Sequence, residues 1–228
     1  MIKIKDTISI IIPTLNEGPK IQKLLTTVEK MNNVEVIIVD GGSVEPIESI
    51  MTENCRVLHS ERGRSRQMNK GAEAAKGDIL WFLHADSKVP ENAADLIREA
   101  MESRTVVGGG FSLKFDYDAF LFKIIEKGSN FRAKYGKIFF GDQSFFVRQK
   151  TFKELEGFPD VTLMEDWILS RKARKKGGLV LLPERIITSA RRFRKYGPLR
   201  TFLFMLTLQL LFLLGVPPDK LGRFYSHG

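Results

Sequence analysis

Ile79-Leu80-Trp81-Phe82-Leu83-His84-Ala85-Asp86-Ser87 is an apolar run that ends abruptly in a carboxylate. A continuous apolar run of this length, Ile79 to Leu83, reads as a strand buried on both faces. Asp86 then stands at its carboxyl-terminal edge, and in open α/β sheets ligands bind at that edge. A carboxylate there can hold a divalent cation against phosphates. The stretch therefore points to an activated, phosphate-containing donor.

Outward from this run, strand and helix patterns alternate. Ile8 to Ile12 is a buried strand, followed by Thr14-Leu15-Asn16-Glu17-Gly18 and an amphipathic helix with Ile21, Leu24, Leu25 and Val28 on one face. Val34 to Val39 is a second strand ending in Asp40-Gly41-Gly42-Ser43. A short helix through Ile47 and Met51 leads to a third strand, Cys55 to His59. Arg62-Gly63-Arg64-Ser65-Arg66 precedes a helix with Met68, Ala72 and Ala75 inward, and Gly77 is expected to close it as a left-handed cap. Pro90 opens a further helix through Ala94, Ile97 and Met101. This alternation predicts an α/β fold with a parallel sheet covered on both faces. Right-handed crossovers then collect Asn16, Asp40, Arg64 and Asp86 on one edge.

The second half is more mixed. Val106 to Phe115 is a strand carrying Gly108-Gly109-Gly110, and an aromatic-rich helix spans about Ala119 to Tyr135. Gly141-Asp142-Gln143 precedes a strand from Ser144 to Arg148. Glu165-Asp166-Trp167 opens a basic helix that ends near Gly177. A strand from Ile186 to Ser189 runs into Arg191-Arg192-Phe193, and Thr201 to Val216 is almost wholly apolar. One domain over 1–228 is expected, with a nucleotide-binding half (1–105), an acceptor and catalytic half (106–198) and an apolar C-terminal helix and tail (199–228).

The 36 Lys and Arg outnumber the 27 Asp and Glu for a net charge of +9, which suits anionic partners. Cys55 is the sole cysteine, so an intrachain disulfide is excluded and a reducing cytoplasm is the natural compartment. Ile8 to Ile12 is too short for a signal-peptide core and stops at Pro13. Neither a Gly-x-Gly-x-x-Gly fingerprint nor a Walker A sequence occurs, which disfavours NAD enzymes and P-loop ATPases. No nucleic-acid recognition motif accompanies the basic charge, so nucleic acid is not expected as a partner.

Each polar cluster has a structural alternative. Asp40 suits hydrogen bonds to a base or ribose, or equally the backbone amides of its own turn. Arg62, Arg64 and Arg66 oppose a helix dipole, which suits an anionic ligand with Arg64 as the preferred member, although each taken singly reads first as a solvated basic face. Glu165 and Asp166 suit a helix start as well as a general base. Arg191 and Arg192 suit a diphosphate clamp or a basic turn. His59, His84 and His227 share no metal-ligand spacing, although His84 lies two residues before Asp86. The apolar tail of about 16 residues reaches roughly 24 Å as a helix, short of the ~30 Å core of a bilayer. It is a helix in the membrane interface, or a helix packed on the domain or at a dimer interface.

Taken in order, these motifs resemble the family 2 glycosyltransferases. Ser9 to Glu17 is similar to that family's opening strand and loop, and Val39-Asp40-Gly41-Gly42-Ser43 to its second nucleotide loop. Asn69 to Asp78 resembles the helix before its Asp-x-Asp strand, with Leu83-His84-Ala85-Asp86 standing where Asp-x-Asp would be. Gly141-Asp142-Gln143, Glu165-Asp166 and Arg191-Arg192-Phe193 complete the series, which is closest to a subgroup with His-Ala-Asp at the metal site. The resemblance implies a GT-A (Rossmann-like) fold with a mixed, mainly parallel sheet, flanking helices and the C-terminal apolar helix. It implies inverting transfer of a sugar from a nucleotide-sugar donor to an acceptor hydroxyl, lipid-linked or on a small molecule. Pro13, Thr14, Glu17, Asp40, Gly41, Arg64, Asp86, Arg191 and Arg192 would face the donor. Gly109, Asp142, Gln143, Glu165 and Trp167 would face the acceptor, and Asp166 would be the base. Asp86, with His84, would bind Mg²⁺ or Mn²⁺.

Two departures stand out: His84 replaces the first Asp of Asp-x-Asp, and Gln67-Met68-Asn69 replaces a common Ala-Arg-Asn, which leaves Arg64 or Arg66 as a substitute cation. The rival expectation is an inactive GT-A-like module that binds a nucleotide-sugar or a partner. The expected location is cytoplasmic, including the inner face of the cell membrane through 199–216, and a homodimer is a further expected state.

Overall fold

Strands buried on both faces, joined by helices with one apolar face, build the first half of the chain. The computed structural model describes residues 6–45, 47, 52 and 55–227. Strand β1 (Ile8–Thr14) leads to helix α1 (Gly18–Val28), β2 (Val34–Asp40), β3 (Cys55–His59), α2 (Arg64–Ala74), β4 (Ile79–Phe82) and α3 (Ala93–Ala100). Then follow β5 (Val106–Phe115), α4 (Phe120–Phe131), a π turn (Arg132–Gly136), a 3-10 turn (Gly141–Gln143) and β6 (Phe146–Arg148). Helices α5 (Gln149–Glu154) and α6 (Glu165–Ala173) precede β7 (Gly178–Thr188). The chain continues through α7 (Arg191–Tyr196), α8 (Pro198–Leu213) and α9 (Pro218–His227). The helix expected through Ile47 and Met51 lies, but for Ile47, outside the described residues.

The described strands form one sheet in the order β3-β2-β1-β4-β6-β5-β7. Every pairing is parallel except those of β6, which runs antiparallel to both β4 and β5. Side-chain alternation sends Ile8, Ile10 and Ile12 into one apolar layer with Leu24 and Ile97. Ile11 goes into the other with Met68, Phe152 and Leu169. Helices cover both faces of the sheet, as the apolar runs predict, while its mixed, mainly parallel character is what the family resemblance implies.

Two expectations change. Helix α2 ends at Ala74, Ala75 is extended (φ −70°, ψ 139°), and Gly77 is not left-handed. Gly77 is needed for close approach instead: a Cβ there would meet Ser9 Oγ at 2.6 Å and Ser9 N at 2.8 Å. Strand β7 begins at Gly178 rather than near Ile186. Pro183, Glu184 and Arg185 break the apolar pattern, and they sit where the register slips between Phe111↔Leu182 and Ser112↔Arg185. As the edge strand, β7 tolerates the proline. The apolar tail is helix α8, with Pro198 in its first turn. One face of α8 is core: Phe202 packs beside Phe115 and Phe122, and Phe204 and Phe212 pack beside Met164 and Trp167. Among the described residues, no helix is long and apolar enough to cross a membrane.

Gly77→Ala should lower stability by about 1–3 kcal/mol, as forced overpacking does. Chemical denaturation would show it as a lower midpoint at unchanged slope.

Candidate active site

The parallel strands all point their carboxyl ends at one edge, and the reversed β6 starts there. That edge gathers the end of β1 (Thr14), the end of β2 (Asp40), the turn after β4 (His84, Asp86), the turn before β6 (Gly141, Asp142) and the end of β7 (Thr188, Ser189). A cavity of about 320 Å³ opens at the β4, β6 and β7 part of this edge, not reaching Thr14 or Asp40, and Arg64, His84, Asp86, Asp142, Glu165 and Asp166 line its polar side. Arg191, Arg192 and Tyr225 line it too, and Phe140, Met205 and Leu208 supply apolar wall.

Asp86 sits in a tight turn after β4, where Ser87 N–H donates to His84 O (3.1 Å). Leu83 N–H bonds to Ile11 O (2.9 Å), and Lys88 pairs with Ile187 of β7, so the turn is anchored on both sides. Burial, with the charge of Glu17 next, raises the Asp86 pKa above the ordinary carboxylate value. Arg191 offsets this crowding: its guanidinium lies 2.5 Å from Glu17 Oε1 and 3.5 Å from Asp86 Oδ2. His84 is pushed well below the ordinary imidazole pKa by burial and by Arg64, so it is neutral. Its Nε2 is buried with no hydrogen-bond partner in the structure.

Those two residues fit a divalent cation. An unpartnered buried nitrogen on a neutral imidazole is a ligand atom, and a carboxylate crowded by Glu17 and Asp116 gains from a nearby positive charge. Among the described residues, no cluster of three or more His, Cys, Asp or Glu could hold a metal alone.

Across the cavity, Met164 adopts the left-handed conformation (φ 68°) and places Glu165 and Asp166 in the first turn of α6. Met164, at the N-cap position, makes no side-chain capping bond. Asp166 Oδ2 accepts the Gly141 N–H (2.9 Å) and lies 3.2 Å from Arg64; Glu165 lies 3.5 Å from Arg64. Burial, then the charge of Asp166, raises the Glu165 pKa. Burial opposes the Arg64 charge, yet the two carboxylates hold its pKa above the ordinary guanidinium value. Arg64 keeps 36% of its side chain exposed. The cation at the start of α2 is thus matched by protein carboxylates. Arg66 is matched likewise, by Asp160 (3.0 Å) and Glu61 (2.7 Å) on the surface, away from the cavity.

At the β1–β2 end, Thr14 Oγ1 is buried without a partner, and Gly41 N–H donates to Thr14 O (3.0 Å). Asp40 satisfies its own turn, accepting from Ser43 N–H (2.9 Å) and Ser43 Oγ (2.5 Å). Pro13 lies beside Val39 in the β1–β2 ladder. Gln67 ties the two loops together, its Nε2 donating to Thr14 O (2.7 Å) and Val39 O (2.8 Å). That role was not anticipated, although the residue stood out as a departure in its motif.

Three of the expected acceptor residues lie elsewhere. Gly109 is inside β5, where a Cβ would run into Val180 O of β7, so packing accounts for the glycine. Gln143 is fully buried and bonds to Arg132 (3.1 Å) and, from its Nε2, to Phe111 O (3.4 Å). Trp167 packs against Phe140 and Phe212. Asp142 does line the cavity. Arg192 also lines it, with its guanidinium 3.7 Å above the Tyr225 ring. Gln209 of α8 lines the wall and was missed; a lone amide in an apolar run was its only signal.

A mostly parallel sheet with one reversed strand, and charged groups at its carboxyl edge, fit the GT-A fold. The mannosyltransferase PcManGT from Pyrobaculum calidifontis, solved with GDP-Man and Mn²⁺, shares this fold at a TM-score of 0.62 and 20% identity, over 81% of this chain and 57% of that one. The family profile described as Glycosyl transferase family 2 matches residues 9–155, and the chain belongs to that family. The putative glycosyltransferase EpsH of Bacillus subtilis is 27% identical over 119 residues, which are 48% of this chain and 35% of the relative. The undecaprenyl-phosphate 4-deoxy-4-formamido-L-arabinose transferase of Aeromonas hydrophila is 30% identical over 116 residues, 44% of this chain and 36% of the relative. The chain thus spans about a third of the length of these curated relatives.

Asp142 gives a pH signature. Burial raises its pKa against the pull of Arg132, and its Oδ1 has no partner. Its folded form holds a proton more tightly than the unfolded chain does. Its contribution to stability is therefore full at acid pH, below the ordinary carboxylate value, and is lost as pH rises through the raised one. Asp142→Asn should flatten that decline, read as a smaller drop in melting temperature across a calorimetric pH series.

Proposed function

We propose that the chain transfers a sugar, with inversion, from a nucleotide-diphosphate-sugar to an acceptor hydroxyl. The observation that carries this reading is the gathering of Asp86, His84, Arg191 and the Arg64-bound Asp166 around one cavity. The nucleoside lies over Thr14, Glu17, Asp40 and Gly41 at the β1–β2 end. Asp86 and His84 would hold Mg²⁺ or Mn²⁺, which when bound neutralises diphosphate charge. Arg191 exchanges its carboxylate partners for the diphosphate, with Arg192 beside it. Asp166 takes the acceptor's proton as the acceptor oxygen bonds to the anomeric carbon. The bond from that carbon to the diphosphate breaks on the opposite face, and the nucleoside diphosphate leaves with the electron pair. Arg64 holds Asp166 in place through their 3.2 Å contact.

Several findings support parts of this reading. A fold neighbour solved with GDP-Man and Mn²⁺ supports a nucleotide-sugar donor and a divalent ion. A relative named for undecaprenyl-phosphate supports a lipid-linked acceptor. The apolar α8 supports peripheral contact with the inner face of the cell membrane through 199–216.

Asp166→Asn should cut turnover by roughly a hundred- to ten-thousandfold, the range for a positioned acid or base, with donor affinity nearly unchanged. Loss of donor affinity would instead remove Asp166 from the role of base. A wild-type chain that binds donor and turns nothing over would support an inactive binding module. Asp86→Ala should abolish the Mn²⁺-dependent part of nucleotide binding. An unchanged calorimetric titration would place the ion elsewhere.

A further inference from the structure

Helix α4 buries Phe122 and Ile125 and turns a long stripe outward. Phe120, Ile124, Phe131 and Tyr135 are 80%, 44%, 65% and 63% exposed, at intervals that keep them on one face of α4 and the π turn continuing it. Phe131 and Tyr135 stack on each other at 4.6 Å. Lys123, Lys127 and Lys134 are exposed along the same stripe. Asp118 is paired with Lys123 (2.8 Å), and Glu126 accepts the Phe115 N–H (2.8 Å), so neither opposes the lysines freely. Helix α8 packs against α4 and carries a second stripe: Leu199, Leu203, Leu206, Leu210 and Leu213 are 40–59% exposed. Arg194, Lys195 and Arg200 are exposed at its amino-terminal end.

We infer that these two stripes form a docking surface for an anionic lipid bilayer, which presents a membrane-borne amphiphile to the cavity as the acceptor. The acceptor part rests on the glycosyl-transfer reading; the docking part does not. Exposed aromatic and leucine side chains interleaved with lysine are the composition of a helix lying in a membrane interface. The 16 residues of α8 reach only about 24 Å, so the helix lies on the bilayer and does not span it. Charge selects lipid over a second copy of the chain: an isologous dimer through these stripes would set lysines against lysines, whereas an anionic surface complements them. The inner face of α8 supplies the link to the site. Met205, Leu208 and Gln209 line the cavity while the leucine stripe faces outward. A headgroup at the membrane surface is then within about one helix diameter, roughly 10 Å, of the cavity wall.

Flotation of the full chain with phosphatidylcholine vesicles, with and without phosphatidylglycerol and without nucleotide-sugar, tests the docking. Binding should require phosphatidylglycerol and fall with salt. Lys127→Gln with Lys134→Gln should weaken it roughly twenty-fivefold, about fivefold per charge. Leu203→Ser with Leu210→Ser should weaken it as well. Both double variants should melt as the wild type does, because all four side chains are exposed. Failure to float with phosphatidylglycerol, or equal binding by the variants, would overturn the inference. So would a dimer in sedimentation equilibrium that Leu203→Ser with Leu210→Ser abolishes. Asp166→Asn should float as the wild type does, which separates loss of docking from loss of transfer.

Discussion

The Arg64 guanidinium ties two separate helix starts together at the cavity. Arg64 begins α2, which packs on β1 and β2, and reaches Glu165 and Asp166 at the start of α6. Glu165 and Asp166 stand side by side in a buried helix start, where burial first and the Asp166 charge second raise the Glu165 pKa. Without Arg64, at least one would take up a proton or move toward water. The Gly141 N–H completes the arrangement by fixing Asp166 Oδ2. A side chain on Gly141 would collide with Arg64 and with His84 Nε2, so a glycine is what lets these three groups approach. Arg64, Glu165 and Asp166 all line the cavity, so these contacts fix that part of its wall.

The same economy governs the β4 turn. Glu17, Asp86 and Asp116 stand near one another, and Arg191 compensates the first two. Arg191 is 54% exposed and sits just past the end of β7, so solvent reaches one side of its contacts with Glu17 and Asp86. Gln67 is the opposite case. Its two buried hydrogen bonds hold the β1 and β2 loops together whether or not a ligand is present.

Much of the fold was legible in the sequence because burial on both faces writes continuous apolar runs. Ile8 to Ile12, Val34 to Val39 and Ile79 to Leu83 could hardly be read otherwise, and their order placed Thr14, Asp40 and Asp86 at one edge. The start of β7 was not legible, because Pro183, Glu184 and Arg185 lie at an irregularity on an edge strand, where polar residues face water without penalty. Gly77 was misread for a related reason. A glycine after a helix suggests a left-handed cap, but close approach to Ser9 across the sheet requires the same residue.

For the site, the sequence by itself determined which groups are chemically able to act: Asp86, Asp166, Arg64 and Arg191 are charged residues at element ends, where side chains can reach a ligand. The direction of β6 was decided only by the tertiary structure. Because β6 runs against its neighbours, the turn before it arrives at the carboxyl edge, and Asp142 lines the cavity while Gln143 turns into the core. Glu165 and Asp166 likewise read as an ordinary helix start until α6 is set against α2 and Arg64 claims both carboxylates. The local pattern specifies each element's buried face, whereas the distance between charges on separate elements exists only once the sheet has brought them together.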